Sequence, residues 1–211
     1  MNIYPSVMGK SQKEIDLLFS KLKGTAEVLH LDVADGRFVP NKSLWFPFKL
    51  SSSFRYNAHL MVEKPLEWVE KQGRKVDLVI IHPEVGDISK VISLLRKEKK
   101  RVGIALKPET SVVSVKKYLT LVDYVLVLTV HPGFYGAKYL KAPLRKIRQI
   151  KKINPKVKVI VDGHMNPETV KDAVKAGADD IVSGSFVSRS DDPKKAMKEL
   201  RKAVGTAKTQ R

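Results

Sequence analysis

The chain has 211 residues, no cysteine, and 40 Lys+Arg against 22 Asp+Glu for a formal net charge of +18. The missing cysteine excludes a disulfide framework, a thiolate zinc site and a cysteine nucleophile, and 43% apolar residues exclude general disorder. No apolar run approaches the roughly 18 residues of a membrane span and no basic-then-apolar signal opens the chain, so a cytoplasmic protein without a membrane partner is expected.

In chain order, short β-rich apolar runs occupy 2–6, 26–33, 56–62, 77–82, 101–107, 123–129, 157–162 and 179–183. Amphipathic stretches lie between and after them, at 11–23, 65–73, 87–98, 111–119, 140–153, 166–176 and 192–204. The connection from 41 to 55 is the least regular, and any helix in it must be short. Strands separated by helical segments predict a parallel sheet with right-handed crossovers. Closing eight such units gives an α/β fold, a (β/α)8 TIM barrel, as a single domain over 1–204. A doubly wound open sheet is the rival, but Pro5-Ser6-Val7-Met8-Gly9-Lys10 is not the Gly-rich first turn that fold favours. The basic tail 205–211 is expected to fray.

The positive charge concentrates in 97–101, 145–152 and 194–211. On the 140–152 segment Leu140, Leu144, Ile147 and Ile150 keep helical spacing, with basic residues on the other face. That is the pattern of a solvated outer helix. Without interleaved aromatic residues for base stacking, nucleic acid is not the expected partner, although the field still attracts phosphorylated metabolites.

Barrel chemistry gathers at the C-terminal strand ends, and all five histidines fall in or just past predicted strands. His30 and His82 end the second and fourth, His59 lies in the third, and His131 and His164 follow the sixth and seventh. Asp32 stands two residues after His30 and so shares its face. Asp35 follows in the loop beyond, and Asp162 closes the seventh strand. His30, Asp32, His59 and Asp162 make a candidate site for a divalent cation. Hydrogen-bonded core histidines and N-cap aspartates would leave the same pattern, and spacing alone does not decide. A second cluster is glycine-bearing: Gly133 and Gly136 after the sixth strand, Gly163 after the seventh, Gly184-Ser185 after the eighth. Loops there often bind phosphate, and tight βα turns are the plainer reading of the same residues.

The run from His30 to Asn41, His-Leu-Asp-Val-Ala-Asp-Gly-Arg-Phe-Val-Pro-Asn, resembles the ribulose-phosphate 3-epimerase family signature H-x-D-x-M-D-G-x-F-V-P-N. The resemblance continues in Pro5-Ser6, Ala58-His59-Leu60-Met61-Val62, His82-Pro83-Glu84 and Gly103 to Thr110. It runs on through Leu128 to Phe134, Val161-Asp162-Gly163, Ala176 to Asp179 and Gly184-Ser185, nearly the whole chain in order. It implies a (β/α)8 barrel that inverts C3 of a ketose phosphate, ribulose 5-phosphate to xylulose 5-phosphate first and a six-carbon ketose 6-phosphate second. By position it implies one divalent metal ion (Zn, Mn, Fe or Co) on His30, Asp32, His59 and Asp162. Asp32 and Asp162 are the implied acid/base pair, and Ser6 and His59 the implied substrate contacts. Gly133, Phe134, Tyr135, Gly136, Gly163, His164, Gly184 and Ser185 fall at the phosphate end. Relatives form homo-oligomers, so a homo-oligomer is implied as well.

The chemistry explains the set. Removing a proton next to a ketone leaves charge that a cation on neighbouring oxygens stabilises. Inversion takes hydrogen from one face and returns it on the other, which calls for two carboxyls, one ionised and one protonated. Four departures fall inside the motifs. Ala34 replaces the methionine of M-D-G, which predicts thinner packing near the metal, and Tyr135 replaces a glycine of the G-F-G-G-Q loop. His164 replaces the second glycine of D-G-G, and His131 stands at another usually polar position. Intact metal chemistry with altered phosphate recognition is the expectation. Two rivals stay open. A decarboxylase- or synthase-type barrel would carry D-x-K-x-x-D, whereas this segment is His30-x-Asp32-x-x-Asp35. A non-catalytic barrel binding polyanions through its charge is the other.

Overall fold

In a computed structural model, which describes residues 1–133 and 136–210, the strands close into a barrel. The element order is β1 (Ile3–Val7), α1 (Gln12–Leu22), β2 (Val28–Asp35), β3 (Lys42–Ser43), β4 (Arg55–Met61), α2 (Pro65–Gln72), β5 (Leu78–Ile81), α3 (Ser89–Lys97) and β6 (Arg101–Leu106). It continues with β7 (Tyr124–Leu128), α4 (Arg145–Ile153), β8 (Lys158–Asp162), α5 (Thr169–Ala176), β9 (Asp180–Ser183), α6 (Ser185–Ser188) and α7 (Pro193–Thr209). The sheet order is β1-β9-β8-β7-β6-β5-β4-β2-β3, and pairing of β1 with β2 closes the ring. Every pairing around the ring is parallel; only β3 runs antiparallel, along the end of β2. The fold is the expected (β/α)8 TIM barrel.

Alternation along the strands sorts side chains into two layers. Leu29, Leu31 and Val33 of β2 point outward into the large core between barrel and helices, with Val79, Ile81, Val125 and Val161. Inside the barrel, Tyr4, Leu78, Ile80, Leu126, Ile160 and Val182 form a second apolar cluster. Ser6, His30, Asp32 and His59 occupy interior positions on β1, β2 and β4. One side of the interior is therefore polar, and buried polar side chains need partners or ligands.

Helix ends follow ordinary capping. The Ser11 side chain accepts from the Glu14 N–H at the start of α1, and Asp192 does the same for Lys195, with Pro193 beginning α7. Ile147 and Ile150 are buried under α4, as the basic amphipathic pattern predicts. Two expectations need correction. The tail does not fray after Val204: α7 continues to Thr209, because Ala203, Val204 and Ala207 extend its apolar stripe, with Ala207 only 1% exposed. Gly205 sits on the open side, where an added Cβ would touch nothing. The 111–119 segment forms a 3-10 helix, Val113–Tyr118, rather than an α-helix. The 41–55 connection holds no helix, only the two residues of β3.

Candidate metal and substrate site

The register builds the site. Ser6 pairs with His30 between β1 and β2, Asp32 pairs with His59 between β2 and β4, and Leu128 pairs with Asp162 between β7 and β8. In parallel strands, paired residues share a face, so these side chains meet at the C-terminal mouth of the barrel. His30, Asp32, His59 and Asp162 each offer a ligand atom, and those atoms lie within 4.8 Å of one another.

His30 is fully buried, and neither ring nitrogen has a hydrogen-bond partner. Its Nε2 lies 3.5 Å from Oδ1 of Asp32. Burial, opposed by the Asp32 charge, brings its pKa down to about 4, so the ring is neutral and its lone pair open. An imidazole with no hydrogen-bond partner beside two carboxylates fits a cation ligand set. The residues present fit a divalent metal ion of the Zn, Mn, Fe or Co type, with mixed nitrogen and oxygen donors and no thiolate.

The two carboxyls differ. Asp32 accepts the Ser6 hydroxyl at 2.6 Å, and its Oδ1 lies 3.2 Å from Nδ1 of His59. Burial works to raise its pKa, but the His59 contact, the nearby imidazoles and Ser6 outweigh it and hold Asp32 low. Asp162 is driven well above the usual carboxylate range by burial and then by the Asp32 charge, with its bond to the Gly163 backbone opposing. The two carboxyls are thus pushed in opposite directions.

Behind the ligands lies a chain that the sequence did not single out. His59 Nε2 is 2.9 Å from His82 Nε2, His82 Nδ1 is 3.2 Å from Glu84 Oε2, and the Thr110 hydroxyl donates to the other Glu84 oxygen. Burial lowers His82 to about 4, against the opposing pull of Glu84. Burial would raise Glu84, but the bonds from His82 and Thr110 prevail and bring it to about 2. The only signal was His82-Pro83-Glu84, one matching triplet among several.

The cleft runs from Asp32, His59 and Asp162 to the turns after β7, β8 and β9. Ser6, Asp32, His59, Gly133, Gly136, Asp162, Gly163, His164, Gly184 and Ser185 line it, together with Met8, Met61 and Leu128. Phe134 and Tyr135 lie outside the described residues. His131 pairs with Glu109 at 2.9 Å and is absent from the lining. Ala34 packs with Val39 and Met61, and Phe38 lies against them.

Gly133, Gly136 and Gly163 have φ of +123°, +79° and +121°. At Gly163 a Cβ would come within 2.9 Å of the Val130 backbone nitrogen, so that turn demands glycine. Hydroxyls pin three consecutive carbonyls here: Thr129 donates to Gly163, Thr169 to His164 and Ser183 to Met165. His164 itself has φ +56° and is exposed, a strained conformation for a side-chain-bearing residue.

A profile of the Ribulose-phosphate 3 epimerase family matches residues 2–188. The chain belongs to the ribulose-phosphate 3-epimerase family. It is 30% identical over 208 residues to the ribulose-phosphate 3-epimerase of Bacillus subtilis (strain 168), covering 93% of each chain. It is 33% identical over 189 residues to the cytoplasmic isoform of that enzyme from Oryza sativa subsp. japonica, covering 85% of this chain and 83% of the rice protein. Among solved structures, 3-hexulose-6-phosphate synthase from Salmonella typhimurium superposes with a TM-score of 0.68 at 17% identity, over 98% of this chain and 100% of that one. Orotidine 5'-phosphate decarboxylase from Pyrococcus horikoshii OT3 gives 0.63 at 17%, over 96% and 99%. These two likenesses speak for the barrel alone. The second strand of this epimerase-family chain carries His30 and Asp32 on its interior face and no lysine. Among the described residues no helix is long and apolar enough to cross a membrane.

Proposed function

We propose that this chain is a cytoplasmic epimerase that inverts C3 of a ketose phosphate, interconverting D-ribulose 5-phosphate and D-xylulose 5-phosphate. The observation that carries the reading is the convergence of His30, Asp32, His59 and Asp162, whose ligand atoms lie within 4.8 Å of one another, at the positions the family resemblance marks. A divalent cation held by His30, Asp32, His59 and Asp162 would stabilise negative charge developing on the substrate oxygens.

The residues do the rest. Asp32, ionised and steadied by Ser6, takes the C3 proton from one face of the sugar. Asp162, protonated, delivers a proton to the other face; the direction of reaction decides which of the two starts as base. Each cycle leaves the pair with the roles exchanged, and in the reverse reaction Asp162 removes the proton. The apolar Met8, Met61 and Leu128 limit water around the reacting carbon. At the far end, Gly133, Gly136, Gly163, Gly184 and Ser185 form the seat for the substrate phosphate, with His164 at its edge. By the family resemblance, Phe134 and Tyr135 join the residues that recognise the phosphate. Association into a homo-oligomer, the habit of relatives, completes the reading.

The test is epimerisation of ribulose 5-phosphate and of a six-carbon ketose 6-phosphate, each with Zn²⁺, Mn²⁺, Fe²⁺ and Co²⁺. Turnover of the pentose phosphate with at least one metal is expected. Inactivity on both substrates with every metal would end the enzyme reading.

A further inference from the structure

His59 faces the carboxylates through Nδ1, 3.2 Å from Asp32 Oδ1 and 4.0 Å from Asp162 Oδ2. For that nitrogen to accept a cation it must be bare, and the ring's proton must sit on Nε2. Asp32 by itself favours the opposite arrangement, since a carboxylate oxygen at hydrogen-bond distance draws a proton onto Nδ1. Something else has to decide the tautomer.

The chain behind the ring decides it. Glu84 accepts the Thr110 hydroxyl on one oxygen and faces Nδ1 of His82 with the other, and an ionised carboxylate has no proton to give. His82 therefore donates from Nδ1, which leaves its Nε2 as an acceptor. The only group that Nε2 meets at 2.9 Å is Nε2 of His59, which must then be the donor. All hydrogens in the row point toward Glu84, and the free lone pair ends at the ligand cluster. The rings cannot easily turn out of this arrangement. His59 and His82 are 1% and 0% exposed, and the Phe38 ring lies 4.7 Å from that of His82 on another side.

We infer that His82 and Glu84 are positioning residues that hold His59 in the tautomer able to ligate a divalent cation, with an imidazole inserted where a metal-bound histidine ordinarily meets its carboxylate directly. This rests on the metal reading given above. It assigns His82-Pro83-Glu84 a role separate from both proton transfer and substrate binding.

The experiment uses the full chain stripped of metal, titrated with Co²⁺ against a chelating dye, and long-range ¹H–¹⁵N spectra of the histidine rings in the metal-free protein. Removing the relay by His82→Phe or Glu84→Ala should weaken Co²⁺ binding by about 10- to 100-fold, the usual effect of losing an outer-shell partner. His82→Gln, whose amide oxygen can accept from His59 Nε2, should bind within a few-fold of the unmodified protein. The spectra should show His59 protonated at Nε2 in the unmodified protein, and at Nδ1 in Glu84→Ala. Glu84 has a quarter of its side chain exposed, so its variants keep the test open if His82→Phe does not fold. Unchanged affinity in His82→Phe and Glu84→Ala while the unmodified protein binds Co²⁺ would overturn this inference alone. Failure of the unmodified protein to bind any metal would overturn it together with the proposed function.

Discussion

The two ends of the cleft are built on different principles. At the ligand end His30, Asp32, His59 and Asp162 project from strands, and the register of a closed barrel fixes their spacing to the neighbouring strand. At the other end the cleft is made of turns whose shape depends on glycines at positive φ and on hydroxyls that pin carbonyls. The first end matches the family pattern at each ligand position. The second departs from it at His164 and Tyr135. A barrel can alter its loops without disturbing its strands, so chemistry and substrate recognition should respond separately to mutation.

The largest expected effects fall at the ligand end. Asp32→Asn and Asp162→Asn should each lower kcat for epimerisation by about 10²- to 10⁴-fold, the ordinary worth of a positioned acid or base. Solvent deuterium exchange separates their roles. With one carboxyl left, hydrogen can still leave and return on a single face, so each variant should exchange C3 hydrogen in one epimer only. The epimer should differ between the two variants. Exchange into both epimers by either variant would break the assignment of one carboxyl to each face.

Gly163→Ala tests how far the two ends are independent, since Gly163 follows Asp162 directly. A Cβ there meets Val130 at 2.8–2.9 Å and sits at φ +121°. The strain should cost roughly 2 kcal/mol, which for a chain of this size lowers Tm by about 4–8 °C. Gly136→Ala, with open space around its Cβ and φ +79°, should cost less. Equal losses at the two sites would mean that contact with Val130 adds nothing to backbone strain.

The ligand end should also carry much of the acid sensitivity of the metal-free protein. His30 and His82 titrate near pH 4 when folded and near 6.5 when unfolded. As pH falls through that window, the unfolded chain takes up two protons that the folded one refuses. Asp162, raised in the fold, keeps one proton that the unfolded chain has released above its ordinary value of 3.8. The two imidazoles outweigh the one carboxyl, so stability should fall as pH drops from 6.5 toward 4. Below that, Glu84 and Asp32, both lowered in the fold, extend the loss in the same direction. Denaturant midpoints measured against pH check the slope. His82→Gln removes one of the two imidazoles and should make the slope shallower.

Much of this was legible in the chain itself. Each of the eight barrel strands was predicted within two residues of its observed ends, because buried parallel strands read as short β-branched runs bounded by turn residues. His30 and Asp32 could be paired from their two-residue spacing, His59 and Asp162 joined them from their places in or at the ends of predicted strands, and the family resemblance marked the same four. What the sequence hid was contact between side chains whose spacing carries no period. Nothing in the separation of residues 59, 82, 84 and 110 marks a row of hydrogen bonds, which forms only once β4 and β5 are paired side by side. The end of α7 was misread for a local reason. Gly205 looks like a stop, yet Ala207 still has core to cover.

The smallest expected effect is at His164, where the two ends of the cleft differ most in how freely they can vary. Its φ of +56° would be relieved by glycine, while glycine also loosens the unfolded chain, so His164→Gly should change stability by no more than about 1 kcal/mol. Its side chain is exposed on the cleft, away from the groups that exchange protons. If the imidazole meets the phosphate, that contact is equal in ground and transition states. Its loss should then raise KM for ribulose 5-phosphate by about 5- to 10-fold with kcat unchanged, the signature of uniform binding. A fall in kcat instead would tie the phosphate end to the proton chemistry, and the division of labour between strands and loops would have to be given up.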